Sequence, residues 1–139
     1  MPYVLDTNAI RAFLDRDIRV VARVSTIDPT TIFVTIVSFE EATRGQDATL
    51  NRQLNEVQLI RAYANLSRTL AYFASVNVLS YDADAARHDA DLRATVRRMS
   101  TKDRRIAAIA RARGYTLVTR NVVDFRGVPG LAFEDWMAP

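Results

Sequence analysis

The hydrophobic and polar positions of the chain follow two alternating patterns. Short, nearly continuous apolar runs predict buried strands, and apolar residues at three- and four-residue steps predict amphipathic helices. Strands are expected at residues 4–5, 31–37, 76–79, 116–119 and 131–133. Helices are expected after Asp6, at 17–27, from Ser38 to near Gly45, at 48–74, after Asp82 and from Asp103 to Gly114. Because strands alternate with helices, the sequence predicts a three-layer α/β/α fold with a central parallel sheet.

Length and composition set the size and class of this fold. The chain has 139 residues, 49% of them hydrophobic and 25% charged, which is ordinary for a globular protein. No linker or repeat interrupts it, so residues 1–139 are predicted to form a single domain. The amino terminus lacks a basic stretch before an apolar run, and no segment approaches the ~20 apolar residues of a membrane span. We therefore expect a cytoplasmic protein with no membrane partner.

Two residue types limit the chemistry of the chain. It has no cysteine and one histidine, His88, which excludes thiolate sites and multi-histidine zinc sites. Any metal ion would therefore be held mainly by oxygen ligands. His88 lies beside the apolar stripe of its predicted helix, and we interpret it as a structural residue.

Three acidic residues stand where the predicted structure changes. Asp6 closes the first strand, Glu41 follows the second strand, and Asp103 begins the last long helix. In an α/β fold, such positions meet outside the carboxyl ends of the strands. Carboxylates that share a pocket repel one another unless a cation joins them, and clusters of oxygen ligands suit Mg²⁺ or Mn²⁺. The three acids therefore predict a divalent-metal site.

Each acid also has a simpler interpretation as part of a helix terminus. Asp6 can cap the helix that follows it. Glu41 fits a capping box with Ser38, in which its carboxylate reaches back to the Ser38 amide. Asp103 can complement a helix dipole, although the basic residues beside it oppose that benefit. Asn8, two residues after Asp6, adds a second candidate oxygen ligand and favours the metal site.

A fourth polar segment follows the predicted strand at 116–119. It contains Asn121 and Asp124, and either one can complete the metal site or serve as an ordinary turn or cap residue. We favour Asn121, because it lies two residues beyond Thr119 at the end of the strand. Asp124 lies roughly a helical turn further along the chain.

The basic residues are almost all arginine, since Lys102 is the only lysine among 19 basic residues; the net charge is +3. Many of them crowd around Asp103. Arginine matches phosphate oxygens in pairs, so a basic rim around an acidic pocket is typical of a nucleic-acid phosphodiesterase. The alternative is a solvated, arginine-rich surface that binds nothing.

Four segments, in their order along the chain, resemble motifs of the PIN-domain family, specifically the VapC-like toxins of type II toxin–antitoxin modules. They are residues 4–8, 38–45, 103–108 and 117–125. In the second motif a glutamate precedes a glycine by four residues, which selects Glu41 over Glu40. The chain departs from the family at two points. Asn121 stands where an acid is common, and a glycine usual shortly before the third acid is replaced around Ser100.

The resemblance implies a Mg²⁺-dependent endoribonuclease, with Mn²⁺ able to substitute, that arrests translation until a cognate antitoxin inhibits it. It also implies a homodimer. Asp6, Glu41 and Asp103 would hold the metal, and Asn121 or Asp124 would orient a water or the scissile RNA phosphate. The other candidates are supporting residues, Thr7, Asn8, Ser38 and Thr119, and phosphate-binding residues, Arg104 and Arg120.

Two other classes of protein are alternatives. One is a catalytically weak PIN scaffold that binds RNA or a partner protein, a possibility raised by Asn121. The other is a phosphoacceptor receiver domain, which also gathers acids at strand ends. That class uses a lysine after a late strand, whereas Lys102 precedes a helix, so the sequence disfavours it.

Overall fold

The computed structural model describes residues 1–139, in which five short strands are interspersed with seven helices. The strands are β1 (Tyr3–Leu5), β2 (Ile32–Thr35), β3 (Asn77–Leu79), β4 (Thr116–Val118) and β5 (Phe133–Glu134). The helices are α1 (Thr7–Leu14), α2 (Ile18–Ser25), α3 (Ile36–Leu50), α4 (Glu56–Ser75), α5 (Ala83–Thr95), α6 (Thr101–Arg113) and α7 (Val122–Phe125). A single 3-10 turn, Pro29–Thr31, precedes β2.

The strands form one sheet in the order β3-β2-β1-β4-β5, and every pair is parallel. The predicted α/β fold with a central parallel sheet is confirmed. The chain builds outward from β1 to β3 on one side and then crosses to β4 and β5 on the other. Strand order therefore reverses at β1, which is where α/β sheets form their ligand crevices.

Helices cover both faces of the sheet, and alternate residues of each strand supply two separate cores. Val4 and Leu117 pack on one face with apolar side chains of α5 and α6. Leu5 and Val118 pack on the other face with side chains of α1, α2 and α4. Because successive side chains in a strand point to opposite faces, the continuous apolar runs reflect burial on both sides. No helix is long and apolar enough to cross a membrane.

The second predicted strand and the helix after it have different boundaries from those expected. β2 ends at Thr35, because the Thr35 hydroxyl accepts the Ser38 backbone N–H at 3.1 Å and caps α3. Ile36 and Val37 are therefore helical. The prediction that this helix stops near Gly45 is also wrong, since α3 continues to Leu50.

Most of the other predicted elements agree with the structure to within a few residues. Asp82 caps α5, as expected. Gly114 ends α6 with φ of 69°, a left-handed conformation that glycine adopts without strain. The prediction of one helix at 48–74 is wrong at its start, because residues 48–50 end α3, residues 51–55 are not helical, and α4 begins at Glu56. Val96 and Met99 follow the end of α5 and pack against the core.

Candidate metal-binding active site

Asp6 is held at the carboxyl end of the central strand. Its backbone N–H donates to the Val118 carbonyl at 3.0 Å, and its carboxylate accepts the Ala9 N–H at 2.8 Å and a hydrogen bond from Thr119. The predicted capping role is therefore real. Only 3% of Asp6 is exposed. This burial raises the pKa of Asp6 to about 6 despite those hydrogen bonds, and the charges of Asp103 and Glu41 raise it further.

Glu41 lies on α3 and is turned toward the start of α1. The Thr7 hydroxyl donates to Glu41 Oε1 at 2.6 Å, and Thr7 Oγ1 lies 3.0 Å from Ser38 Oγ. The capping-box interpretation of Ser38 and Glu41 is wrong, because Thr35 caps the helix and leaves the Glu41 carboxylate available to the site. Glu40 points elsewhere, as expected, and pairs with Lys102 and Arg44.

Asp103 is the third residue of α6, and its backbone N–H donates to the capping Ser100 hydroxyl at 3.1 Å. Partial burial raises the pKa of Asp103, and the charges of Glu41 and Asp124 raise it further, against the opposing effect of the Ser100 contact. The basic neighbour Lys102 does not neutralise Asp103, because its ammonium pairs with Glu40.

Asn121 and Asp124 are joined to each other at the edge of the same group. The Asn121 backbone N–H donates to the Thr119 hydroxyl at 2.9 Å, and its side-chain Nδ2 donates to Asp124 Oδ2 at 2.6 Å. Asp124 is exposed, yet its charge acts on Asp103. Thr119 thus links the Asp6 end of the site to the fourth segment.

The donor set of this site suits Mg²⁺ or Mn²⁺. All its side chains offer oxygen. Burial raises the pKa of Asp6 and Asp103, and the charge of Glu41 adds to both shifts. As the side chains stand, however, no three acidic or histidine groups converge closely enough to enclose an ion.

The prediction that Arg104 binds an RNA phosphate does not fit its surroundings. Its Nε donates to Asp89 Oδ1 at 2.6 Å, and the two side chains are only 13% and 2% exposed. The Tyr81 hydroxyl donates to the second Asp89 oxygen at 2.5 Å. Arg104 is therefore part of a structural network between α5 and α6. His88 is structural too, as expected, since Arg111 Nε donates to its Nδ1 at 2.8 Å.

Arg120 and Asn8 are both exposed, as an RNA-contacting role requires. They share a shallow depression with Arg11, which the sequence analysis did not single out. Arg11 and Arg120 take part in none of the ion pairs of the molecule. The signal for Arg11 was its spacing, because it lies three residues after Asn8 and hence on the same face of α1.

The fold and this acidic pocket define a class of protein that comparison with known families identifies. The family model for the PIN domain matches residues 3–131. The chain therefore belongs to the PIN domain family.

Within that family, the sequence is similar to VapC proteins. It is 37% identical over 76 residues to the tRNA(fMet)-specific endonuclease VapC of Salmonella typhimurium. It is 40% identical over 76 residues to the protein of the same name from Shigella flexneri. Each alignment covers 52% of this chain and 58% of the relative, so the chain matches little more than half the length of these relatives.

Solved structures match over nearly the whole chain. DNA-bound VapBC from Salmonella typhimurium aligns with a TM-score of 0.82 and 26% identity over 98% of both chains. VapBC-1 from nontypeable Haemophilus influenzae aligns with a TM-score of 0.75 and 26% identity over 99% of this chain and 100% of that one. VapBC2 from Rickettsia felis, bound to a promoter DNA fragment, has a TM-score of 0.82 at 20% identity over 98% and 99% of the chains, a likeness of fold.

Proposed function

We propose that this protein is a Mg²⁺-dependent endoribonuclease and the toxin of a toxin–antitoxin pair. The observation that carries the proposal is the match of residues 3–131 to the PIN domain family, in a chain whose Asp6, Glu41 and Asp103 lie near enough for their charges to affect one another. The kinship with VapC endonucleases supports RNA phosphodiester bonds as the target.

In this proposal Asp6, Glu41 and Asp103 bind the ion, which supplies Lewis-acid stabilisation of the developing charge and lowers the pKa of the attacking water. Thr7 and Ser38 orient Glu41 by hydrogen bonds, and Thr119 orients Asp6. Asn121 and Asp124 orient the water or the scissile phosphate.

A pair of adjacent glutamates provides the decisive test of cleavage. Glu41→Gln removes a proposed ligand, whereas Glu40→Gln removes only the outward pairs with Lys102 and Arg44. We expect Mg²⁺-dependent cleavage of RNA by the wild type to fall at least about 100-fold in Glu41→Gln and Asp6→Asn. Cleavage in Glu40→Gln should stay close to that of the wild type.

The same assay separates the nuclease from a non-cleaving scaffold. RNA binding without metal-dependent cleavage by the wild type would favour the scaffold. Equal cleavage by Glu41→Gln and Glu40→Gln would remove Glu41 from the active site.

We propose that RNA crosses the depression that Arg11 and Arg120 share with Asp15 and Asp17, where neither guanidinium group forms an ion pair within the chain. Replacing either residue with glutamine should weaken RNA binding. It should also reduce the slope of log Kd against log salt concentration by the amount expected for the loss of about one phosphate contact. Arg52→Gln is the matched control, because Arg52 is exposed in the loop between α3 and α4. An unchanged salt slope in Arg11→Gln and Arg120→Gln would place the RNA path elsewhere.

The partners proposed for this chain are an antitoxin and a second copy of itself. The matching solved structures are VapBC assemblies, which supports the antitoxin. Several large apolar side chains of α4 are exposed, including Ile60 at 65% and Leu70 at 64%, and exposed apolar surface of this kind supports an interface. We expect a dimer in sedimentation at micromolar concentration, and a dominant monomer there would contradict it.

A further inference from the structure

A cavity of about 340 Å³ lies beside the proposed active site, between α1, α3 and α4. Thr7, Ser38 and Glu41 form one side of it, so it opens directly onto the carboxylate that we assign to the metal. Its volume falls within the usual range for small-ligand pockets. None of the roles proposed for the acidic residues uses this space.

The cavity wall has two chemically distinct parts. Four apolar side chains, Ile10, Leu14, Ala42 and Phe73, supply hydrophobic surface. Polar side chains line the rest of it, among them Gln46 and Asn65. A flat, unstacked nucleobase has the same division, because its faces are apolar and its edge carries hydrogen-bonding groups.

Gln46 has an incomplete hydrogen-bond set at this wall. Its Nε2 donates to the Thr69 hydroxyl at 2.6 Å, but its Oε1 is buried without a partner and is the only side-chain atom of the molecule in that state. A buried acceptor without a donor is costly. Every RNA base carries an N–H donor on its Watson–Crick edge, which would supply the missing partner once the Gln46 side chain turns its buried Oε1 toward the cavity.

Charged side chains of both signs line the cavity, two basic and two acidic: Arg11, Arg68, Asp15 and Glu41. Arg11 is exposed and also lines the depression that contains Arg120. Arg68 is positioned by a hydrogen bond from its Nη1 to the Leu14 carbonyl at 3.3 Å and by an exposed ion pair with Asp15 at 3.7 Å, which a phosphate would have to replace. A strand whose phosphates follow Arg120 and Arg11 would reach Glu41 and the cavity together.

We propose that this cavity is a base-binding subsite, which receives one unstacked nucleobase next to the phosphodiester held at the acidic residues. The inference rests on the proposed ribonuclease function and extends it by naming residues that recognise the substrate. Phe73 and Leu14 contact the face of the base, Gln46 and Asn65 contact its edge, and Arg68 contacts the adjoining phosphate.

Gly45 allows the cavity to be filled without removing any polar group. It lines the cavity, and a Cβ built there meets nothing within 4 Å. Leucine is also a better helix former than glycine, so Gly45→Leu should fold and place a side chain in the proposed subsite. Gly127→Leu is the matched control, because Gly127 also has open space and no positive φ but lies outside the cavity.

The test uses NMR titration of the full chain with the four ribonucleoside 5′-monophosphates and with ribose 5-phosphate. These probes contain no phosphodiester bond, so the result does not depend on cleavage. We expect at least one nucleotide to shift the side-chain amide signals of Gln46 and Asn65 and to bind about 5-fold or more tightly than ribose 5-phosphate. Gly45→Leu should abolish these shifts and Gly127→Leu should retain them.

Three results would overturn the base-binding subsite: no shift at Gln46 and Asn65, equal affinity for nucleotides and ribose 5-phosphate, or an unchanged titration in Gly45→Leu. Capture of a protein segment in the cavity without nucleotide binding would count against it in the same way. Failure of the ribonuclease itself is recognised separately, by RNA that stays intact after incubation with the wild-type protein and Mg²⁺.

Discussion

Asp6 and Asp89 are almost equally buried carboxylates, but their surroundings shift their pKa values in opposite directions. Asp6 is 3% exposed and Asp89 is 2% exposed. Burial and the nearby acids raise the pKa of Asp6 to about 6. Burial acts on Asp89 in the same direction, but hydrogen bonds from Tyr81 and Arg104 outweigh it and lower the pKa of Asp89.

The charges beside each buried acid distinguish a candidate functional acid from a structural one. Asp89 is paired with a nearly buried guanidinium, so its charge stabilises the folded chain. Asp6 forms no ion pair with any side chain, and its nearest charges are other acids. A buried acid that has no basic partner in the chain and lies near other acids is a strong candidate for binding a cation from solution.

The largest expected effect on stability comes from breaking the Asp89 pair. Asp89→Asn would leave Arg104 buried without a counter-charge, which should lower the free energy of unfolding by about 3 kcal/mol. The melting temperature should fall by about 10 °C. Asp84→Asn is the control, because its exposed pair with Arg87 should contribute no more than about 1 kcal/mol. Equal unfolding curves for wild type and Asp89→Asn would remove the structural role of this pair.

Asp6→Asn should raise, and not lower, the free energy of unfolding of the metal-free protein. The pKa of Asp6 rises from 3.8 to about 6 on folding, so the ionised group costs up to about 3 kcal/mol at pH 7. We therefore expect Asp6→Asn to be more stable than the wild type in chelator at pH 7. A less stable variant under these conditions would mean that the Asp6 charge is compensated in solution.

Asp6 and Asp89 should also contribute to stability in different pH ranges. A raised folded-state pKa makes the Asp6 contribution fully present below pH 3.8 and lost as the pH rises through about 6. A lowered folded-state pKa makes the Asp89 contribution present above pH 3.8 and lost as the pH falls through the folded value. Urea unfolding of wild type, Asp6→Asn and Asp89→Asn across this pH range measures both contributions. If the free energy of unfolding of the wild type ran parallel to that of Asp6→Asn between pH 4 and 6, the predicted Asp6 contribution would be contradicted.

A bound cation should offset the free-energy cost of ionising the buried Asp6 carboxylate, a cost that Asp89 does not have. At a free ion concentration 100 times Kd, Mg²⁺ or Mn²⁺ should stabilise the wild type by about 2.7 kcal/mol. Asp6→Asn should lose this response, and Asp89→Asn should keep it despite its lower melting temperature. A wild-type melting curve that is indifferent to both ions and to chelator would contradict the metal site.

The sequence predicted the fold better than it predicted the side-chain partners. Apolar runs and helix caps are local signals, so β1, the Asp82 cap and the Gly114 helix end were all recognisable. The pairing of Arg104 with Asp89 depends on how α5 packs against α6, and no pattern along the chain reports that. The Thr35 cap was missed because Ile36 and Val37 extend an apolar run that is typical of a strand, although they form the first turn of α3.

The smallest expected effect concerns the fourth segment, where either Asn121 or Asp124 is proposed to complete the site. Asn121→Asp adds a charge to the site but replaces the amide that donates to Asp124, so attraction for the ion is partly offset by repulsion between the two acids. We expect Mg²⁺ affinity to rise by only about 5-fold, which is about 1 kcal/mol. Asp124→Ala should lower it by less, because Asp124 is exposed and its charge is screened. A larger loss in Asp124→Ala than the gain in Asn121→Asp would make Asp124 the fourth acid, and negligible effects of both would place this segment outside the site.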